Sequence, residues 1–174
     1  MKENSPSIST LRDLLINDAG RFTSTEVELR NALPLWIGSA SSLKLKTVLQ
    51  KYLELVEMHI ERMDSFFAAE RVSSVRISNR VIKAYTEDLS DRMKECADAE
   101  VKDACLLSGV QSVNHYKISM YGTGAAFANA LGMEKHAALF HEAEVNEKQI
   151  DDRLSQLAEH EINLNARTPI VLPG

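Results

Sequence analysis

The sequence is poor in residues that break helices or cross-link chains. Its 174 residues include only seven glycines and four prolines, which disfavours a turn-rich β-protein and favours helices. The two cysteines, Cys96 and Cys105, are too few for a disulfide framework, and their spacing matches no metal or redox motif. The sequence predicts that Cys105 is a small core residue and that Cys96 lies at a helix end.

Long apolar runs and a dominant sign of charge are also missing. No stretch reaches the length of a membrane span, and residues 1–10 are polar rather than signal-like. The net charge of -5 comes from interspersed acids and bases, without a basic patch. These features predict a cytoplasmic protein that binds neither nucleic acid nor membranes. The sequence also lacks a glycine-rich phosphate loop and a nucleophile elbow, which disfavours phosphoryl and acyl transfer.

Apolar residues recur at three- and four-residue steps along most of the chain, which predicts amphipathic helices. Four long helices and one shorter helix are predicted at 7–34, 42–70, 81–96, 100–131 and 134–160. Pro34 should kink or end the first helix. Asp98 is a candidate N-cap, and Gly132 is a candidate stop after the fourth of these helices.

This pattern predicts an all-α fold, a ferritin-like antiparallel four-helix bundle with an extra shorter helix between the second and third bundle helices. Short connectors make consecutive helices antiparallel neighbours. The length fits a single domain over residues 1–174, with its core at about 7–160. The remaining residues, 161–174, contain two prolines and no helical period, which predicts an extended tail.

Polar residues interrupt the apolar stripe of every bundle helix. The interruptions are Glu26, His59, Asn114, Lys117, Asn146 and Glu147. Each lies fourteen to nineteen residues from the nearest connector, Ala40 or Gly132. At about 1.5 Å per residue they all reach one level, roughly 20–30 Å from the connectors. The sequence therefore predicts a polar layer in the middle of the bundle, where ferritin-like proteins hold a carboxylate di-metal site.

Each of these residues also has a purely structural interpretation. A single core histidine is usually a satisfied structural group, and a single core lysine is more often a snorkelling side chain than a catalyst. Polar intrusions on several helices at one level indicate a polar bundle centre, but they do not by themselves indicate a metal.

Several motifs resemble those of the bacterial YciE/YciF-type ferritin-like stress proteins. The first helix carries TEVELRNALP at 25–34, similar to the family's Ala-Glu-Lys-Gln-Leu…Ala-Leu-Pro. The second carries YLE at 52–54 and IERM at 60–63, similar to His-Leu-x-Glu-Thr…Val-Glu-Arg-Leu. The most specific motif is VNHYKI at 113–118, followed by YGT at 121–123. It is similar to Val-Glu-His-Tyr-Glu-Ile…Tyr-Gly-Thr.

The NEK motif at 146–148 is similar to the family's Glu-Glu-Lys, and the likeness covers residues 11–159. The resemblance implies a helical bundle, a homodimer and a stress-associated role. The apolar tail at 170–172 also suggests a partner surface that it could cover, which supports the same expectation of a homodimer.

The departures from the family pattern concern its acids. Glu26 matches the acid of the first helix. At four other positions where the family has an acid, this chain has a different residue: Leu55, Asn114, Lys117 and Asn146. A lysine ammonium has no lone pair for a metal and repels it. The favoured hypothesis is therefore a non-catalytic structural or stress-associated protein without a bound cofactor, whose di-metal centre has degenerated. Lys117 would then supply the positive charge that iron supplies in relatives.

The alternative hypothesis is a metal-binding protein or oxidoreductase. Its iron or manganese would be held by Glu26, His59 and Glu147, with His115 or Glu142 as further candidate ligands. No protein partner other than a second copy of the chain can be named from the sequence.

Overall fold

Helices account for nearly all of the described chain. The structure is a computed structural model that describes residues 7–73 and 77–167. It contains four long helices, α1 (Leu11–Ser39), α2 (Leu43–Glu70), α4 (Ala99–Ala130) and α5 (Glu134–Leu157). A shorter helix, α3 (Arg80–Glu95), lies between α2 and α4 in the chain. No strand occurs in these two ranges. The prediction of an all-α fold with a shorter helix between the second and third bundle helices is confirmed.

Side chains near the connectors explain where the helices begin and end. Thr10 and Asp13 form a reciprocal capping box at the start of α1, and Ser42 caps α2. The Asp98 side chain accepts hydrogen bonds from two backbone N–H groups of α4, as its predicted N-cap role requires. Gly132 follows α4 with a φ of 70°, a left-handed conformation that glycine adopts without steric cost.

The four long helices other than α3 form the bundle. α1 packs on α2 and on α4, while α5 packs on α4 and on α2. α3 lies against α4 and α1. At Gly109 of α4, an added Cβ would collide with the side chain of Leu89 of α3, so glycine permits this close contact. Within the described chain, every helix is too short or too polar to cross a membrane.

The first helix does not stop at Pro34. It continues for more than one turn to Ser39, so the expectation that the helix ends at Pro34 is wrong. Pro34 has no N–H to offer the carbonyl of Arg30, four residues earlier. Both residues are exposed, so water can hydrate that carbonyl. On the opposite side, Trp36 is buried and holds the last turn against the core.

The chain after α5 is also more helical than predicted. The α-helix passes into a π-helical turn, Ala158–Ile162, and then into a short helix α6, Asn163–Ala166. The prediction of an extended tail is therefore wrong for residues 161–166. Ile162 is 2% exposed, and continued winding carries this side chain into the core. The rest of the predicted tail, with its apolar residues 170–172, lies outside the described residues.

Two apolar clusters fill the bundle. The Trp36 cluster lies toward the α1–α2 connector and includes Leu29, Trp36, Val56, Val113 and Ile150. The Phe140 cluster lies toward the α4–α5 connector and includes Phe22, Met63, Met120, Phe140 and Ala143. A gap between these clusters falls at the same level on all four bundle helices, and it positions the candidate site.

Candidate functional site: a polar layer in the bundle centre

The layer between the two clusters is polar and closed to solvent. It contains Glu26 of α1, His59 of α2, Lys117 of α4 and Glu147 of α5, all at most 1% exposed. Each lies three or four residues from a member of the Trp36 cluster on one side and of the Phe140 cluster on the other. Helical periodicity therefore directs all four side chains to one level of the bundle interior.

Lys117 lies between the two carboxylates. Its Nζ is 3.0 Å from Glu26 Oε1 and also contacts Glu147 Oε1. The ammonium lies 4.7 Å from the centre of the Tyr52 ring, a cation–π arrangement. The two contacts with the carboxylates have ion-pair distances but are not aligned as hydrogen bonds. Lys117 thus places one positive charge between two buried acids.

Each carboxylate also accepts a hydrogen bond from a buried tyrosine on another helix. The Tyr121 hydroxyl donates to Glu26 Oε1 at 2.5 Å, and the Tyr52 hydroxyl donates to Glu147 Oε2 at 2.6 Å. Asn114 Nδ2 donates to the same Glu147 oxygen at 2.8 Å and to the Glu147 backbone carbonyl at 2.9 Å. Glu147 therefore has two side-chain donors at one oxygen and an ammonium at the other.

His59 faces both acids from α2. Its Nδ1 lies 3.4 Å from Glu26 Oε1 and 3.6 Å from Glu147 Oε1, the same two oxygens that Lys117 contacts. Its Nε2 lies 3.4 Å from Nδ2 of the half-buried Asn146. The ring also packs edge-on against Tyr121. His59 Nδ1, Glu26 Oε2 and Asn114 Oδ1 are buried without a hydrogen-bond partner in the described structure.

Mutual attraction keeps Glu26 and Lys117 ionised despite their burial. Burial alone raises the pKa of the Glu26 carboxyl. Lys117, His59 and Tyr121 have a larger effect in the opposite direction, so the pKa lies below its ordinary 4.5. Burial alone lowers the pKa of Lys117, yet Glu147 and Glu26 together raise it above 10.5. The Glu26 carboxylate and the Lys117 ammonium therefore coexist at neutral pH, and the ammonium also contacts Glu147.

The two tyrosines act as hydrogen-bond donors in this arrangement. Burial, followed by the charge of the neighbouring glutamate, raises the pKa of both Tyr52 and Tyr121 well above 10.0. Both hydroxyls thus keep their protons under ordinary conditions. Both tyrosines were noted only as parts of sequence motifs, and their contacts with the acids were not predicted. Tyr121 lies four residues after Lys117 on the same helix face, and a buried tyrosine hydroxyl usually finds a polar partner.

The structure brings together all six residues of the predicted polar layer, with Asn146 at its half-buried edge. It does not bring in the two additional ligands of the metal hypothesis. His115 is largely exposed and pairs with Asp151 at 2.8 Å. Glu142 is exposed and pairs with Arg62 at 2.7 Å. Both residues point away from the bundle centre because they are off the buried faces of α4 and α5, so neither prediction holds.

The layer can be tested for its fit to a metal. Within the described residues, Glu26, His59 and Glu147 each offer a ligand atom within 4.8 Å of the others. A di-metal centre in a ferritin-like bundle, however, uses about four carboxylates and two histidines. This layer offers two carboxylates and one histidine, and an ammonium contacts both carboxylates. In charge and in number of ligands, these residues do not fit a pair of divalent metals.

Residues 10–167 match the family described as Domain of unknown function (DUF892). The chain belongs to this family. It is 30% identical over 161 residues to protein YciF of Escherichia coli strain K12, covering 92% of this chain and 97% of that protein. The family resemblance carried by the helix motifs is thus confirmed.

Solved structures show the same bundle. The E. coli stress protein YciF matches with a TM-score of 0.84 and 30% identity, covering 90% of this chain and 99% of that chain. YcfI from Rhodopseudomonas palustris, proposed to be a structural protein, matches with a TM-score of 0.85 and 28% identity, covering 88% and 98%. These matches confirm the prediction of a YciF-like bundle.

A two-domain protein from Anabaena variabilis extends the comparison of the fold. It contains DJ-1/ThiJ/PfpI-like and ferritin-like domains, and it matches with a TM-score of 0.59 and 16% identity. The match covers 99% of this chain but 45% of that chain. At this identity the likeness concerns the fold alone, and it confirms that the fold is ferritin-like.

Proposed function

We propose that this protein is a non-catalytic, stress-associated structural member of its family, in which a di-metal centre has degenerated and Lys117 has taken the metal's place. One observation carries the proposal: the ammonium of Lys117 contacts one oxygen of Glu26 and one of Glu147, at the centre of the bundle. A metal held by these acids would occupy the same region, and the two positive charges would repel each other.

The composition of the layer supports the same proposal. Asn114 donates both of its described hydrogen bonds to Glu147, so at this position the chain supplies a donor rather than an anionic ligand. The Tyr52 hydroxyl also donates to Glu147, and the Tyr121 hydroxyl donates to Glu26. These bonds stabilise carboxylates that lack a metal. Buried polar layers of this kind favour one helix arrangement over others more surely than they add stability.

The description of YciF as a stress protein and the proposed structural role of YcfI are consistent with this function. The cytoplasmic location, the homodimer and the single-domain organisation stay predictions.

A metal-binding function is the second candidate. It is favoured by the convergence of Glu26, His59 and Glu147, and by the unpartnered atoms Glu26 Oε2 and His59 Nδ1. A single iron or manganese ion could use these groups only if Lys117 lost its proton or moved away. The two candidate functions therefore differ in whether Lys117 stays protonated and in place between the two acids.

Restoring the missing acids tests the proposal. The variant carries Leu55→Glu, Asn114→Glu, Lys117→Glu and Asn146→Glu together. If the centre has degenerated, the folded variant should retain iron or manganese after loading and desalting, because it regains a carboxylate-rich site. The matched control is Lys117→Met, which removes the ammonium without adding acids and should bind far less metal. A helical, well-folded quadruple variant that binds no more metal than the control would overturn the proposed origin of the layer.

A further inference from the structure

The two cysteines lie together on the surface, away from the polar layer. Cys96 ends α3, and Cys105 lies in the second turn of α4. Because the helices run in opposite directions and Leu89 packs on Gly109, the end of α3 is adjacent to the beginning of α4. Both cysteines are free and partly exposed. At about 1.5 Å per residue, Cys105 lies roughly 18 Å along α4 from Lys117, so the pair is independent of the bundle centre.

An open groove of about 630 Å³ gives solutes access to the pair. Cys96 and Cys105 both line it, together with Arg92, Glu95 and Asp98. This is the size of a pocket that accepts a small molecule. The lining combines the guanidinium of Arg92 with two acidic side chains, so it favours neither sign of charge on a solute. Because the groove is open and both cysteines line it, it can admit a small disulfide reagent to both sulfurs.

The two thiols also interact with each other. Burial raises the pKa of the Cys105 thiol, and the neighbouring Cys96 raises it further through its charge and a hydrogen bond. A second sulfur in the same groove is well placed to attack a mixed disulfide formed at the first. The Cys96 thiol donates to the carbonyl of Arg92 at 3.4 Å, which fixes its sulfur at the rim of the groove.

We propose that Cys96 and Cys105 form a thiol–disulfide exchange site that reacts with a small disulfide such as oxidised glutathione. The Cys96 thiolate attacks one sulfur of the reagent, forming a mixed disulfide and releasing one thiolate, which takes a proton from water. Cys105 then loses its proton and attacks Cys96 Sγ, forming the Cys96–Cys105 disulfide and releasing the second thiolate. The protein loses two electrons and two protons, and the reagent gains them as two thiols.

Cys96 acts first because its sulfur lies at the exposed rim of the groove, whereas burial raises the pKa of the Cys105 thiol. The product ties the end of α3 to α4 through a ten-residue segment, 96–105. The sequence spacing did not indicate this pairing, because it results from the turn between two antiparallel helices rather than from a motif.

The test incubates the reduced full-length protein with oxidised glutathione, then counts free thiols after unfolding and maps peptides by mass spectrometry. The expected result is a loss of both thiols, a mass lower by two hydrogens and a peptide linking Cys96 to Cys105 within one chain. The Cys105→Ser variant should accumulate a glutathione adduct at Cys96, because the second attack is blocked. The Cys96→Ser variant should react more slowly.

Three outcomes would overturn the proposal. They are a wild-type protein that keeps both thiols, one that accumulates stable glutathione adducts without the internal link, and one whose only disulfides join separate chains. Circular dichroism of both serine variants checks that they keep the helical fold, so that a failure to react can be assigned to the missing sulfur.

Discussion

Two carboxylates in this molecule have similar partners in different surroundings. Glu26 lies between the Lys117 ammonium and His59 in the sealed centre of the bundle. Glu70 lies at the end of α2, 2.7 Å from an Arg12 nitrogen and 2.9 Å from His136 Nε2. The Arg12 side chain is 46% exposed, whereas the Lys117 side chain is fully buried. Water can replace Arg12 when it is removed, but nothing can replace Lys117. Solvent access, more than the list of contacts, thus determines what each ion pair contributes.

The largest difference in stability is expected between a variant without the Lys117 ammonium and a variant without the Arg12 guanidinium. Lys117→Met should lower the free energy of unfolding by about 3–5 kcal/mol, because two buried acids lose the ammonium that contacts both of them. Arg12→Met, the matched change at the bundle end, should cost about 0–1 kcal/mol. Urea denaturation of both variants measures the difference. Similar losses for the two substitutions would show that burial does not control these pairs.

Removing the hydroxyl of a buried tyrosine should lower the stability by a smaller amount, which differs between Tyr121 and Tyr52. Tyr121→Phe should cost about 1.5–3 kcal/mol, the usual range for a hydrogen bond to a charged group. Tyr52→Phe should cost less, because Glu147 Oε2 keeps its bond from Asn114. Tyr85→Phe, at a tyrosine that is 37% exposed, is the control and should change little. Equal costs at all three positions, measured by urea denaturation, would contradict the described bonding of the acids.

The dependence of stability on pH separates the two ion clusters further. The pKa of Glu26 is lowered by folding, so its stabilisation is present above about pH 4.5 and is lost as pH falls through the folded pKa. The pKa of Glu70 is lowered too, so both clusters weaken in acid. The pKa of Lys117 is raised, so its stabilisation is present below pH 10.5 and is lost as pH rises through the folded pKa.

The alkaline loss should be specific to the layer, because Arg12 keeps its charge over this range. The stability difference between wild type and Lys117→Met, measured in urea at a series of pH values, should therefore shrink at strongly alkaline pH. The difference between wild type and Arg12→Met should stay constant there. A layer whose contribution persists unchanged in strong alkali would mean that Lys117 is not held as an ammonium.

The apolar pattern was enough to predict the bundle and the level of its polar centre. Glu26, His59, Lys117 and Glu147 could be aligned from their distances to the connectors, because helices have a fixed rise and these connectors are short. The contacts of Tyr52 and Tyr121 were not predicted. A helical pattern records which face is buried, but it does not record where a hydroxyl group points within that face.

Other misses have equally local causes. The rule that proline ends a helix failed at Pro34 because the carbonyl it leaves unpaired is on the solvent side, while Trp36 stabilises the inner side. The rule that a proline-containing, aperiodic segment is extended failed at residues 161–166, because the π-helical turn shifts the phase of the helix and Ile162 still reaches the core. His115 and Glu142 were considered as ligands by residue type, whereas their helix faces place them at the surface.

The central claim is that Lys117 occupies the place of the metal, and the metal content of the unmodified protein tests it most directly. The protein is purified without an affinity tag, loaded with Fe(II) under anaerobic conditions, desalted and measured by elemental analysis. We expect no tightly held iron, because the ammonium already lies against both acids and repels a second cation. One or two tightly held iron ions per chain would contradict the claim and would favour the metal-binding function of Glu26, His59 and Glu147.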